Sequence, residues 1–186
     1  MNKDQLREFF QEYLQDIFEL KLIDYNLQES ASSESNIEIN AQEGEVPTVL
    51  KGSGVGLLDS AYSALFKHYE KKYTSLASLD LYDAYFQIDH RAEILKSNMK
   101  IKIQFKNSRG IITDFSSSGS SMGLTGVNAL VNALSFYINC ESLFCRMRYL
   151  VKDAESRKRG DILSKYKYVM GQVVEVNNYS VVTQAT

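Results

Sequence analysis

The residues best suited to chemistry lie in "VLKGSGVGLLDSAYSALFKHY", positions 49 to 69, where Gly52, Gly54 and Gly56 alternate just before a stretch of helical periodicity. A strand, a glycine turn and a helix start together make an anion site, because free N–H groups and the helix dipole point at one spot. The spacing excludes two phosphate motifs. GxxxxGK followed by Ser or Thr occurs nowhere, and a dinucleotide fingerprint built on Gly54 and Gly56 requires Gly or Ala where Asp59 puts a carboxylate. Asp59 falls in the first helical turn, where the dipole stabilises it or where it caps free amides. Two readings stand: a tight strand-to-helix turn capped by Asp59, or a ligand site built on the same amides.

Acid–base and metal chemistry find little support. His68 lies within a helix and His90 in the loop "DHRAE", with no nucleophile or metal-ligand spacing near either. Asp80 and Asp83 are as well explained by solvation of a strand edge. Cys140 and Cys145 show neither CxxC spacing nor a histidine cluster, so idle thiols are expected. The chain does not read as a complete enzyme, and no cofactor or metal is expected in it. Its formal charge of −2 gives no overall pull toward nucleic acid or anionic lipid. No apolar run approaches the roughly 20 residues of a membrane span, and "MNKDQLREFF" lacks the order of a signal peptide. A soluble, cytoplasmic protein without nucleic-acid or membrane partners is expected.

The elements that must position the turn follow from periodicity. Residues 3 to 20 space Leu6, Phe9, Phe10, Tyr13, Leu14, Ile17 and Phe18 as one face of an amphipathic helix. "LIDYNLQ" (22–28), "IEINAQ" and "EGEVPTVLKG" read as three strands, with a turn at Gly44 and Pro47 near the start of the third. A helix over about 57–73 follows. The same order then recurs: "LYDAYFQ" (81–87) repeats "LIDYNLQ" at an offset of 59, "MKIKIQF" repeats the alternation of "NIEINA" at 64, and a second glycine turn leads into a second helix, with Ala133-Leu134 set against Ala64-Leu65 at 69. The fold class expected is α+β: two tandem βββα units with pseudo-twofold symmetry, about 21–76 and 77–140, after an N-terminal helix (1–20) and before a C-terminal extension (141–186). With helices on one face, the other face of such a sheet is expected to be apolar and covered by dimerisation. The extension reads as a helix broken near Gly160, a possible hairpin about Asn177-Asn178, and a basic, solvated face from Arg146 to Lys167.

The stretch "GVGLLDSAYSALFKHY" resembles the G-x-G-[PL]-[VL]-D-A signature of the C-terminal regulatory domain of 2-isopropylmalate and citramalate synthases, with Gly54, Gly56, Leu58 and Asp59 matching. Leu57 stands where proline is usual and Ser60 where alanine is usual. "LASLDLYDAYFQI" is similar to the L-x-x-Y strand of that domain, with Leu79 and Tyr82 in place, and "SSGSSMGLTGVNALVNALSFY" to its second glycine turn, with Thr125 or Gly126 where an aspartate is expected. The similarity covers roughly residues 20 to 140. It implies a regulatory-type domain over 21–140 that forms a homodimer and binds leucine or isoleucine as a feedback effector. The implied ligand contacts are the amides from Gly54 through Val55 and Gly56 to Leu57 for a carboxylate, Asp59 for an ammonium, and Leu57, Leu79 and Tyr82 for the side chain. The catalytic barrel of that acyltransferase family is absent from the chain, so a barrel partner in cis or in trans is implied. A scaffold of the same fold that has lost its ligand, and a small phosphate-binding enzyme, are the competing classes.

Overall fold

The computed structural model describes residues 2–30, 34–88, 99–180 and 182; His90 and its "DHRAE" loop lie outside them. The architecture is mixed α+β, with two three-stranded antiparallel sheets and four α-helices among the described residues. Helix α1 (Lys3–Tyr13) is followed by strands β1 (Leu20–Glu29), β2 (Ser35–Glu43) and β3 (Val46–Gly54), then α2 (Gly56–Glu70) and a 3-10 turn (Thr74–Ser78). Strands β4 (Leu79–Ile88), β5 (Met99–Asn107) and β6 (Ile112–Gly119) lead into α3 (Met122–Ser156) and α4 (Gly160–Val176). Each sheet is a meander, ordered β1-β2-β3 and β4-β5-β6.

The alternation of apolar residues explains which way each strand faces. Ile37, Ile39, Ala41 and Leu50 of the first sheet and Ile101, Ile103, Phe105 and Phe115 of the second turn into one continuous core against α2 and α3. Its centre is aromatic: Phe66 stacks on Phe105 at 5.0 Å, and Phe105 meets Tyr137 edge-on at 5.7 Å. The first strand of each sheet carries a bulge, between Leu22 and Asp24 in β1 and between Leu81 and Asp83 in β4. The extra residues are Ile23 and Tyr82, which both stay exposed.

The outward faces of the sheets are largely polar, which corrects the expectation of a wholly apolar face. Asn40 donates to Asp24 (2.5 Å), Lys51 pairs with Glu38 (2.6 Å) and Lys102 with Asp114 (2.7 Å). Alternation puts polar residues on most outward positions, with Val49, Tyr85 and Ile112 standing exposed among them.

Helix α1 starts at Asn2, whose side chain accepts from the Asp4 amide, and buries Leu6 and Phe10. It is shorter than the 3–20 expected, because the chain turns at Leu14 to enter β1. The buried Asn139 of α3 holds that connection: its amide donates to the Phe18 carbonyl (2.9 Å) and its Oδ1 accepts the Phe18 N–H (2.8 Å). Position 141 lies inside α3, whose unbroken run continues to Ser156. The hairpin expected about Asn177-Asn178 does not form. Val169, Val173 and Val176 recur at helical spacing and bury on α3, so α4 continues to Val176 despite its β-branched composition. Asn177 then anchors the chain, donating to the Ser75 carbonyl (2.9 Å) and accepting from Ser78 Oγ (2.7 Å). The basic residues around α4 are exposed and partly paired, as in Lys165–Glu12 and Lys167–Glu155. Among the described residues no helix is long and apolar enough to cross a membrane.

Candidate functional site

The turn from β3 into α2 is built by close approach. A Cβ on Gly54 would lie 2.4 Å from Asp59 Oδ2 and 2.8 Å from the Ser60 nitrogen, so only glycine lets the strand end fit under the helix start. Gly56 has φ +72°, a left-handed conformation that side chains resist. With no capping side chain on Val55, Asp59 reaches back instead, and its Oδ2 accepts the Val55 N–H at 2.8 Å. The Gly56 N–H donates to Ser35 Oγ (3.2 Å), and the buried Ser60 hydroxyl lies 2.6 Å from the Gly56 carbonyl and 3.2 Å from that of Ser35. Two of the amides expected to meet a ligand carboxylate therefore serve the turn itself. The next two, on Leu57 and Leu58, have no intrahelical acceptor by helix geometry.

A second turn of similar design, between β6 and α3, lies beside it. There a Cβ on Gly119 would lie 2.7 Å from Thr125 Oγ1, the place Asp59 takes toward Gly54. Of the two residues standing where the resemblance implies an aspartate, it is Thr125 whose side chain faces the glycine, while Gly126 packs against Leu58. Ser121 caps α3 by accepting the Leu124 N–H at 3.4 Å. The two helix starts touch. A Cβ on Gly123 would meet the Tyr25 hydroxyl at 1.8 Å and Leu57 at 3.4 Å, and one on Gly126 would meet Leu58 at 3.0 Å. Around this junction Val55, Met122 and Leu124 are exposed, Val55 by 74%.

The implied pocket residues divide into two groups. Gly54, Val55, Gly56, Leu57 and Asp59 share the turn. Leu79 and Tyr82 lie elsewhere within this chain: Leu79 pairs with Asn107 at the end of the second sheet opposite the Met99–Gly119 pair that precedes α3. Leu79 is buried, and its carbonyl accepts from Tyr62 Oη at 2.7 Å. Burial first, then the charges of Asp80, Glu70 and Asp59, push the Tyr62 phenol up to about 12, so it stays a neutral donor. Tyr82 is the exposed bulge residue, with the Lys106 ammonium 5.2 Å from its ring centre.

Sequence reasoning missed Ser35, Tyr25 and Gly123. Gly123 was visible as part of the second glycine turn, whereas Ser35 and Tyr25 reach their partners only through strand pairing. His68 is exposed, edge-on to the Tyr69 ring at 5.0 Å. Among the described residues no group of three or more His, Cys, Asp or Glu is arranged to hold a metal. Burial pushes the Cys140 thiol well up, which makes it a poor nucleophile. No family model matches the chain, and no curated protein matches it.

Proposed function

We propose that the chain is an allosteric, dimerising module that binds leucine or isoleucine in the manner of the regulatory domains of 2-isopropylmalate and citramalate synthases. On this reading it acts in the cytoplasm on a catalytic barrel, in cis or in trans. The observation that carries it is the meeting of two glycine turns at paired helix starts, with Gly123 against Tyr25 and Leu57. The strand registers support two βββα repeats. Leu20 pairs with Glu43 as Leu79 does with Asn107, Ser35 with Gly54 as Met99 does with Gly119, and the two bulges fall 59 residues apart.

The amides of Leu57 and Leu58, which have no intrahelical acceptor, suit a ligand carboxylate at the positive end of α2. The second carboxylate oxygen of Asp59, Oδ1, suits an ammonium, and exposed Val55, Met122 and Leu124 suit a branched side chain or a second protomer. Of the other two implied contacts, the exposed Tyr82 joins such a site only from a second protomer, and Leu79, buried in the core of its own chain, does not join it. Inhibition then needs a coupling of about 1 to 3 kcal/mol between ligand and dimer arrangement.

A second reading, a dimeric scaffold without ligand, is favoured by the use of the Val55 and Gly56 amides within the turn and by Thr125 in place of a second carboxylate. Thermal unfolding in leucine, isoleucine and valine separates the two. A ligand at 100 times its Kd adds about 2.7 kcal/mol, or roughly 5 to 10 °C for a chain of this size. A shift with one of the three supports the sensor; no shift with any refutes it in favour of the scaffold.

A further inference from the structure

On the other side of the first sheet's edge runs an open groove of about 480 Å³, between the end of β3 and the outer face of α2. Its described lining brings together Lys51, Lys67, His68 and Lys71 with the hydroxyls of Ser53 and Ser63, and carries no carboxylate. In a chain of net charge −2 this is a local reversal of sign. Lys67 and Lys71 stand one helical turn apart, so their ammonium groups reach the same stretch of groove. Neither makes an ion pair among the described residues, whereas Lys51 is shared with Glu38 at 2.6 Å. The dipole at the C-terminal end of α2 accounts for cations on that helix. It does not account for Lys51 and Ser53, which come from the facing strand. Strand and helix lie this close because of Gly52, where a Cβ would fall 2.3 Å from the Ala64 nitrogen.

We infer that this groove binds a small molecule carrying two or more phosphate groups, at a site separate from the glycine turns. The donor set selects phosphate. It holds compact ammonium charges and hydroxyls with no arginine fork, which suits a multiply charged tetrahedral anion better than a planar carboxylate. The volume lies within the range of small-molecule sites, and the openness of the groove leaves the rest of the ligand in water.

The test is isothermal titration of the full chain with sodium tripolyphosphate. The expected result is saturable binding that weakens at least ten-fold in the Lys67→Ala/Lys71→Ala double variant, stays unchanged in Lys152→Ala on α3, and weakens several-fold as salt rises from about 50 to 200 mM. These side chains are exposed, so the variants should fold. No binding at millimolar tripolyphosphate, or equal affinity in the double variant, overturns the inference. Binding of poly-glutamate without tripolyphosphate also overturns it, because the groove would then serve an acidic protein. The branched-chain amino-acid shift is read on the same double variant; it should be unaffected, so this site and the glycine-turn site fail or stand independently.

Discussion

Replacing Gly54 with alanine sets a methyl group against two atoms of different stiffness. Asp59 Oδ2, 2.4 Å from the new Cβ, ends a side chain that can swing away. The Ser60 nitrogen, at 2.8 Å, is helix backbone and cannot. Swinging Asp59 away sacrifices its 2.8 Å bond with the Val55 N–H, a capping interaction of about 1 kcal/mol at an exposed site. The backbone contact adds an overpacking cost, so Gly54→Ala should destabilise by about 2 to 3 kcal/mol. Asp59→Ala alone removes the cap and should cost about 1 kcal/mol. In the double variant the cap is lost only once, so the total should fall short of the sum by about 1 kcal/mol. Urea unfolding of the four proteins measures this coupling through the midpoints, provided the slopes agree. Additivity within about 0.3 kcal/mol would refute the assignment of Asp59 as the cap, and with it the geometry on which the proposed ligand site rests.

Three further outcomes follow from packing and charge. Asn139→Ala removes both bonds to Phe18 and leaves its backbone groups short of partners; a loss of about 2 to 3 kcal/mol is expected, with faster hydrogen exchange in the α1–β1 connection. Under native conditions a thiol reagent should modify the exposed Cys145 first and Cys140 only as the chain unfolds, since burial raises the Cys140 thiol and blocks access; equal rates would contradict the core assignment. Burial opposes ionisation of Asp114, but Lys102 and Gln104 outweigh it and hold its carboxyl below the usual range. A depressed folded-state value means stability present above the unfolded pKa of about 4 and lost as pH falls through the folded value. Because the Asp114 side chain is nearly half exposed, the difference between wild type and Asp114→Asn should be under about 1 kcal/mol at pH 7 and should vanish in acid; a difference constant down to pH 2 would refute the pairing.

The order of strands and helices was legible in the sequence because periodicity is local. Ile37 and Ile39, or Leu58, Leu65 and Phe66, declare their element within a few residues. The capping role of Asp59 was legible for the same reason, since its partner is four residues away. The paired bulges were not. An extra residue at Ile23 and at Tyr82 breaks the two-residue alternation, and nothing in a period of two announces the break. The same limit hid the true end of α4, where valines suggest strand by composition and only their burial on α3 makes them helical.

The sequence by itself determined which segments are amphipathic, where the glycine turns fall, and that basic residues cluster after position 140. Tertiary structure alone decided what those features face. Ser35 reaches the Gly56 amide across 21 residues, Gly123 makes room for Tyr25, Lys51 joins Lys67 and Lys71 across the edge of β3, and Leu79 and Tyr82 stand apart from the turn they were expected to complete. The reason is that side-chain direction is a local property of the chain, whereas proximity depends on strand register and helix docking, which only the whole core sets.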